Sequence, residues 1–175
     1  MSKSSREQMV LDEKKVLSEL VKHSNKNIET IAKQCNFSRQ KVWRIVKNLE
    51  EKHIIWGYTA VFDEKKIDLL HYMLMVKRST KKLEEKTIDI ILSRVIEDIV
   101  AGLGITIESS SYTHGDYDWV ITFTAQDIKQ AKKFSNSLIS LHPGVIEKIT
   151  IIQTLMFIKK QNILNPEKLK LREFL

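Results

Sequence analysis

The feature that most constrains this 175-residue chain is a pair of short helical segments, residues 27–52, joined by one sharp turn. Asn27 predicts the start of the first, because its side-chain oxygen can accept an N–H of the opening turn. Ile28, Ile31, Ala32 and Cys35 then recur at helical spacing and form an inner stripe. Asn36 predicts the end, since asparagine is among the few non-glycine residues that enter the left-handed region readily. Ser38 caps a second helix that runs to about Lys52. Two helices joined so tightly follow the plan of a helix-turn-helix, whose second helix enters the major groove of DNA. Side-chain sizes agree: Ala32 is small where the helices cross, Phe37 plugs the core beneath the turn, and Val42 faces back toward Ala32.

The second helix divides into two faces. At about 100° per residue, Val42, Ile45, Val46 and Leu49 share one side, while Gln40, Arg44 and Lys47 share the other with Trp43 at its border. Glutamine pairs with adenine and arginine with guanine through two hydrogen bonds, a Trp ring suits a thymine methyl, and a lysine suits phosphate. The expected DNA-binding residues are therefore Ser38, Arg39, Gln40, Trp43, Arg44 and Lys47. A solvated helix with Trp43 half buried is the plainer alternative. A preceding helix is expected from Leu11, Val16, Leu17, Leu20 and Val21, closed by the turn formers His23, Ser24, Asn25, Lys26 and Asn27.

Charge distribution supports a polyanionic partner. Residues 1–60 hold 12 Lys and Arg against 7 Asp and Glu, whereas residues 61–175 hold 17 against 15. Basic side chains draw affinity from phosphates, so double-stranded DNA is the expected partner. With 42% hydrophobic and 29% charged residues the chain can bury a core and is not disordered. No run approaches the ~18 apolar residues of a spanning helix, and no apolar signal core follows the start, so no membrane partner is expected and the cytoplasm is the expected compartment. Cys35 stands alone, which leaves no cysteine cluster for a metal; neither metal nor cofactor is expected.

Residues 68–157 give a β-α-β-β-α-β order. Leu70 to Lys77 reads as a strand, Lys82 to about Ala101 as one long amphipathic helix, and Thr106 to His114 as a polar strand turning at Gly115 and Asp116 into Trp119 to Ala125. Asp127 caps a helix with Ile128, Ala131, Phe134, Leu138 and Leu141 inside; Pro143 and Gly144 break it before a last strand, Val145 to Phe157. That is the ferredoxin-like order, with both helices on one face of the sheet. The other face would expose Met73, Met75, Val120 and Ile152, so pairing of two copies through it is expected. Leu164, Leu169, Leu171 and Phe174 suggest an extra helix in residues 158–175.

The run Ile54-Ile55-Trp56-Gly57-Tyr58-Thr59-Ala60-Val61-Phe62-Asp63, with Gly115-Asp116-Tyr117-Asp118 and Pro143-Gly144-Val145 downstream, resembles the Lrp/AsnC family of feast-or-famine transcription regulators over about residues 10–157. The resemblance implies an α+β protein: a helix-turn-helix of winged-helix type (1–54), a linker strand (55–67), a ferredoxin-like βαββαβ domain for effector binding and oligomerisation (68–157) and a C-terminal extension (158–175). It also implies a homodimer or larger homo-oligomer, and a small amino-acid effector held by Gly115, Asp118 and Thr150. His53 and Asp68 stand where the family commonly has Gly, and Glu64 where it has Pro. A branch with the same architecture decarboxylates siroheme, which makes an enzyme the alternative. His71 and His114 are its candidates, but neither lies in a run of aromatic and basic residues that would hold a porphyrin carboxylate.

Overall fold

The computed structural model describes residues 3–22 and 26–175. The turn formers expected at positions 23–25 lie outside the described residues. The chain forms two compact units, residues 1–61 with 158–168, and residues 62–157 with 169–175.

In the first unit α1 (Lys3–Lys22), α2 (Ile28–Cys35) and α3 (Arg39–Glu51) pack around Val16, Leu20, Ile31, Ala32, Cys35 and Val42. The Asn27 side chain accepts from the Thr30 N–H and that of Ser38 from the Lys41 N–H; each such cap contributes about 1 kcal/mol. Asn36 is left-handed at φ 53°, and the Phe37 N–H behind it returns to the Ala32 carbonyl at 2.9 Å. Of the five apolar residues expected to line α1's inner side, Leu11 and Val21 are exposed; Val16 and Leu20 are the buried pair. After α3 the run 54–63 forms no strand. A strand needs a hydrogen-bonded neighbour, and among the described residues no strand pairs with this segment. His53 (φ 54°) and Asp68 (φ 58°) are both left-handed, which accounts for glycine at these two places in the resembling family.

The rest of the first unit comes from the far end of the chain. Where an extra helix is expected, β5 (Lys159–Lys160) and β6 (Ile163–Leu164) form a hairpin, followed by a 3-10 turn at Lys168–Glu173. Pro166 between them has no N–H to donate and disfavours a continuous helix.

The second unit is a four-stranded antiparallel sheet in the order β2-β3-β1-β4, from β1 (Leu70–Arg78), β2 (Thr106–Tyr112), β3 (Trp119–Ala125) and β4 (Ile146–Gln153). This is the ferredoxin-like arrangement. The last strand stops at Gln153, four residues short of the expected Phe157. Tyr72, Leu74 and Val76 of β1 and Ile121, Phe123 and Ala125 of β3 face a core shared with Val100, Ile105, Ala131, Phe134 and Leu138. Phe123 stacks on Tyr72 (5.6 Å between ring centres) and meets Phe134 edge-on (5.0 Å). The single long helix expected before β2 is two, α4 (Glu85–Leu92) and α5 (Val95–Gly102), broken where Arg94 turns left-handed at φ 56°. Only α5 contributes a buried residue, Val100; Ile88, Ile91 and Leu92 of α4 are exposed. The second expected helix is α6 (Ile128–Leu141), capped by Asp127 onto the Gln130 N–H. Strand β2 is polar, and its register with β3 shifts between Ile107 and Ser109, a bulge at Glu108.

Candidate nucleic-acid interface

The outward face of α3 is set by what its inward face buries. Val42 and Leu49 are fully enclosed and Ile45 and Val46 partly so, which turns Gln40, Trp43, Arg44 and Lys47 outward by helical geometry alone. Ser38, Arg39, Gln40, Trp43, Arg44 and Lys47 are all exposed. Ile28, Arg39, Gln40, Trp43 and Arg44 line one shallow open groove, where the start of α2 meets the start of α3. Trp43 is half in solvent, with the Lys47 ammonium 5.8 Å from its ring centre. Ser38 already uses its hydroxyl to cap the helix.

Two carboxylates behind α3 escaped the sequence reading. Asp12 is buried, takes the Lys41 ammonium at 2.6 Å and accepts from the Gln8 amide at 3.0 Å. The hydrogen bond from Lys41 is the main cause that holds its carboxyl below the usual range. Lys41 also lies 3.9 Å from the centre of the Phe37 ring. About two turns further along, Glu13 accepts from the Asn48 amide at 2.6 Å and pairs with Lys52, the residue that caps α3, at 3.3 Å. Two carboxylates of α1 thus fix the pitch of α3 and consume Lys41 and Lys52, leaving Arg39, Arg44 and Lys47 outside. A signal was present: Asp12 stands four and eight residues before Val16 and Leu20, on the stripe that faces the core.

The residues proposed for an effector are not gathered within one chain. Gly115 lies in the β2–β3 turn at φ 146° and is exposed. Asp118 ends that turn; its carboxylate accepts the Arg78 N–H at 2.8 Å and its own N–H donates to the Val76 carbonyl. Thr150 sits on β4 opposite Met75, which is in turn opposite Val120 of β3. Two strand spacings, about 9–10 Å, therefore separate the strand of Thr150 from that which Asp118 precedes. The Thr150 hydroxyl is buried without a partner, and so is Nε of Arg78, whose Nη1 donates to the Tyr112 hydroxyl at 2.6 Å. His71 is buried, with Nδ1 2.7 Å from the Thr154 hydroxyl, Nε2 3.3 Å from Glu108 and its ring edge-on to Phe157; His114 is exposed. Among the described residues no group of His, Cys, Asp or Glu is placed to hold a metal ion, and no helix is long and apolar enough to cross a membrane.

A tri-helical unit with an exposed basic face on its third helix stands with a ferredoxin-like sheet in one chain, and known proteins share this fold. Residues 13–55 match the family of winged helix-turn-helix DNA-binding domains. No curated protein matches the chain. Among solved structures, it is similar to an AsnC family transcriptional regulator from Agrobacterium tumefaciens, at 18% identity and TM-score 0.61 over 88% of this chain and 95% of that one. The transcriptional regulator NMB0573 of Neisseria meningitidis, in complex with L-Met, matches at 20% identity and TM-score 0.61 over 90% and 97%. A feast or famine regulatory protein of M. tuberculosis, complexed with L-methionine, matches at 14% and 0.65 over 84% and 92%. Likeness at these identities is one of fold, and the fold is that of the AsnC and Lrp regulators, as the sequence resemblance implies.

Proposed function

We propose that the protein is a cytoplasmic, sequence-specific transcription regulator of the Lrp/AsnC type that binds double-stranded DNA as a homodimer or larger homo-oligomer. The observation that carries this is the outward face of α3, where Arg39, Gln40, Trp43, Arg44 and Lys47 stand exposed on a helix braced from behind by Asp12 and Glu13. Gln40 and Arg44 read base edges, while Arg39 and Lys47 meet phosphates. Pairing of copies places two such helices on one site, and the half-exposed Met73, Met75 and Val120 with exposed Ile152 supply the pairing face.

The test is binding to a duplex of the protein's own promoter region and to a random duplex. Arg44→Ala loses about 1–3 kcal/mol on the promoter and little on random DNA. Lys47→Ala weakens both alike and makes the salt dependence shallower by about 1. Equal losses on both DNAs for Arg44→Ala refute the base-reading role.

An amino-acid effector is the finer part of the reading. It is supported by the L-methionine held by two similar structures and by the unpartnered Thr150 hydroxyl. Since Thr150 and the Gly115–Asp118 turn stand apart in one chain, a second copy completes the pocket. A screen of standard amino acids should raise the melting temperature of the wild type with at least one of them, by mass action on the folded state. Loss of that rise in Thr150→Val assigns the hydroxyl to the ligand; a rise that persists unchanged removes it from the site.

A further inference from the structure

The segment that returns to the first unit gives that unit its one strand pair among the described residues. Lys159 lies opposite Leu164 and Lys160 opposite Ile163. The two loop residues, Gln161 and Asn162, are both left-handed at φ 44° and 66°. A two-residue loop with both residues left-handed twists in the same sense as its strands, so the hairpin is short and stiff. The Asn165 N–H closes its base on the Ile158 carbonyl at 3.0 Å, and the Asn165 side chain turns the chain away by accepting the Glu167 N–H at 2.8 Å.

A winged helix-turn-helix needs such a hairpin beside its helices, yet the chain directly after α3 forms none. Charge points the same way. Residues 158–168 carry three lysines and one glutamate. With them the first unit has 15 basic and 8 acidic residues, net +7, and the second has 14 of each. The whole excess charge of the protein thus resides in the unit that bears α3, and the hairpin adds to it.

We infer that the hairpin Lys159–Leu164 is the wing of the DNA-binding unit, delivered from the C-terminal end, and that exposed Lys159, Gln161 and Asn162 contact phosphates of the bound duplex. This rests on the DNA-binding reading above. Lysine and side-chain amides are ordinary phosphate donors, and such contacts strengthen binding without reading sequence. A contact of this kind predicts a uniform loss on all DNA and a change in salt dependence.

The experiment uses the full-length protein and the same two duplexes across a range of salt. Lys159→Ala should lower affinity for both by the same factor and make the salt slope shallower by about 1. Lys159→Glu should lower affinity further. Asn162→Gly, which suits the left-handed loop while removing the amide, should weaken both duplexes with no change of slope. Lys132→Glu, an exposed lysine of α6 in the second unit, serves as control for net charge and should leave binding near wild type. Circular dichroism and sedimentation of each variant check fold and oligomer. The inference is overturned if Lys159→Ala keeps the wild-type slope, or if Lys132→Glu loses as much as Lys159→Glu. It is equally overturned if Lys159→Glu dissociates the oligomer, which would make the hairpin a contact between copies. A wild type that binds neither duplex defeats the DNA-binding reading itself, and the wing with it.

Discussion

Glu13 joins α1 to the C-terminal half of α3 through one oxygen, which accepts from the Asn48 amide at 2.6 Å and faces the Lys52 ammonium at 3.3 Å. The Glu13 side chain is 12% exposed and that of Lys52 46%, so the two interactions differ in weight. A hydrogen bond to a charged group contributes about 1.5–3 kcal/mol, toward the low end where one side reaches water. A half-solvated ion pair contributes under about 1 kcal/mol. Glu13→Ala therefore costs about 2 kcal/mol, and at roughly 2–4 °C per kcal/mol for a chain of this size the melting temperature falls by about 4–8 °C. Glu13→Gln keeps an acceptor for Asn48 and loses only the charge, so its cost stays below about 1 kcal/mol. Urea unfolding followed by tryptophan fluorescence, in low and high salt, separates the parts. Screening removes the gap between wild type and Glu13→Gln while the larger gap to Glu13→Ala persists. Equal damage from Gln and Ala, undiminished by salt, would refute the division between hydrogen bond and ion pair.

Two further outcomes follow from particular residues. Asn36→Gly should leave stability near wild type, whereas Asn36→Val, with a branched Cβ in the left-handed turn, should cost upwards of about 1–2 kcal/mol and weaken DNA binding by misplacing α3; equal stability of the two variants in chemical unfolding would contradict the strain. His142 is buried beside Trp119 with Nδ1 unpartnered, and burial pushes its pKa down. Below about pH 6.5 the unfolded chain binds a proton that the folded one refuses. Its contribution is thus present above that pH and lost as pH falls toward the lowered folded value. His142→Phe should flatten the slope of unfolding free energy over this window, and an unchanged slope would place its origin elsewhere.

Much of the first unit could be read in advance because local chemistry decides it. Asn27, Asn36 and Ser38 act on backbone groups within a few residues, so their positions alone announce the caps and the turn. The two carboxylates behind α3 depend on contacts 29 to 39 residues away, such as Glu13 with Lys52, and only the helical spacing of Asp12 hinted at them. In the second unit, alternation of apolar residues placed the strands, but the interruption at Arg94 has no helix-breaking residue to announce it. Nothing in the local chemistry of Ser93 and Arg94 demands a left-handed turn; α4, which buries no residue, and α5 part there. At the C-terminal end, leucine spacing suggested a helix where a hairpin forms; its turn rests on left-handed Gln161 and Asn162, which the leucine pattern does not register. For the effector, two of the three residues carried over by resemblance, Gly115 and Asp118, lie in the β2–β3 turn and the third, Thr150, lies on β4 with β1 between it and β3, an order that no local pattern announces.

The sheet of the second unit has two open edges, and the one along β2 bears on how copies of this protein can meet. Ser109, Ser110 and Ser111 line that edge strand, and the bulge at Glu108 interrupts its pleat. A strand so interrupted is a poor template for a neighbour's backbone, since successive N–H and C=O groups fall out of step. Endless lateral growth of the sheet, the route to fibres, is thereby discouraged. If two copies pair face against face, as proposed above, that contact closes on itself and stops at a finite number.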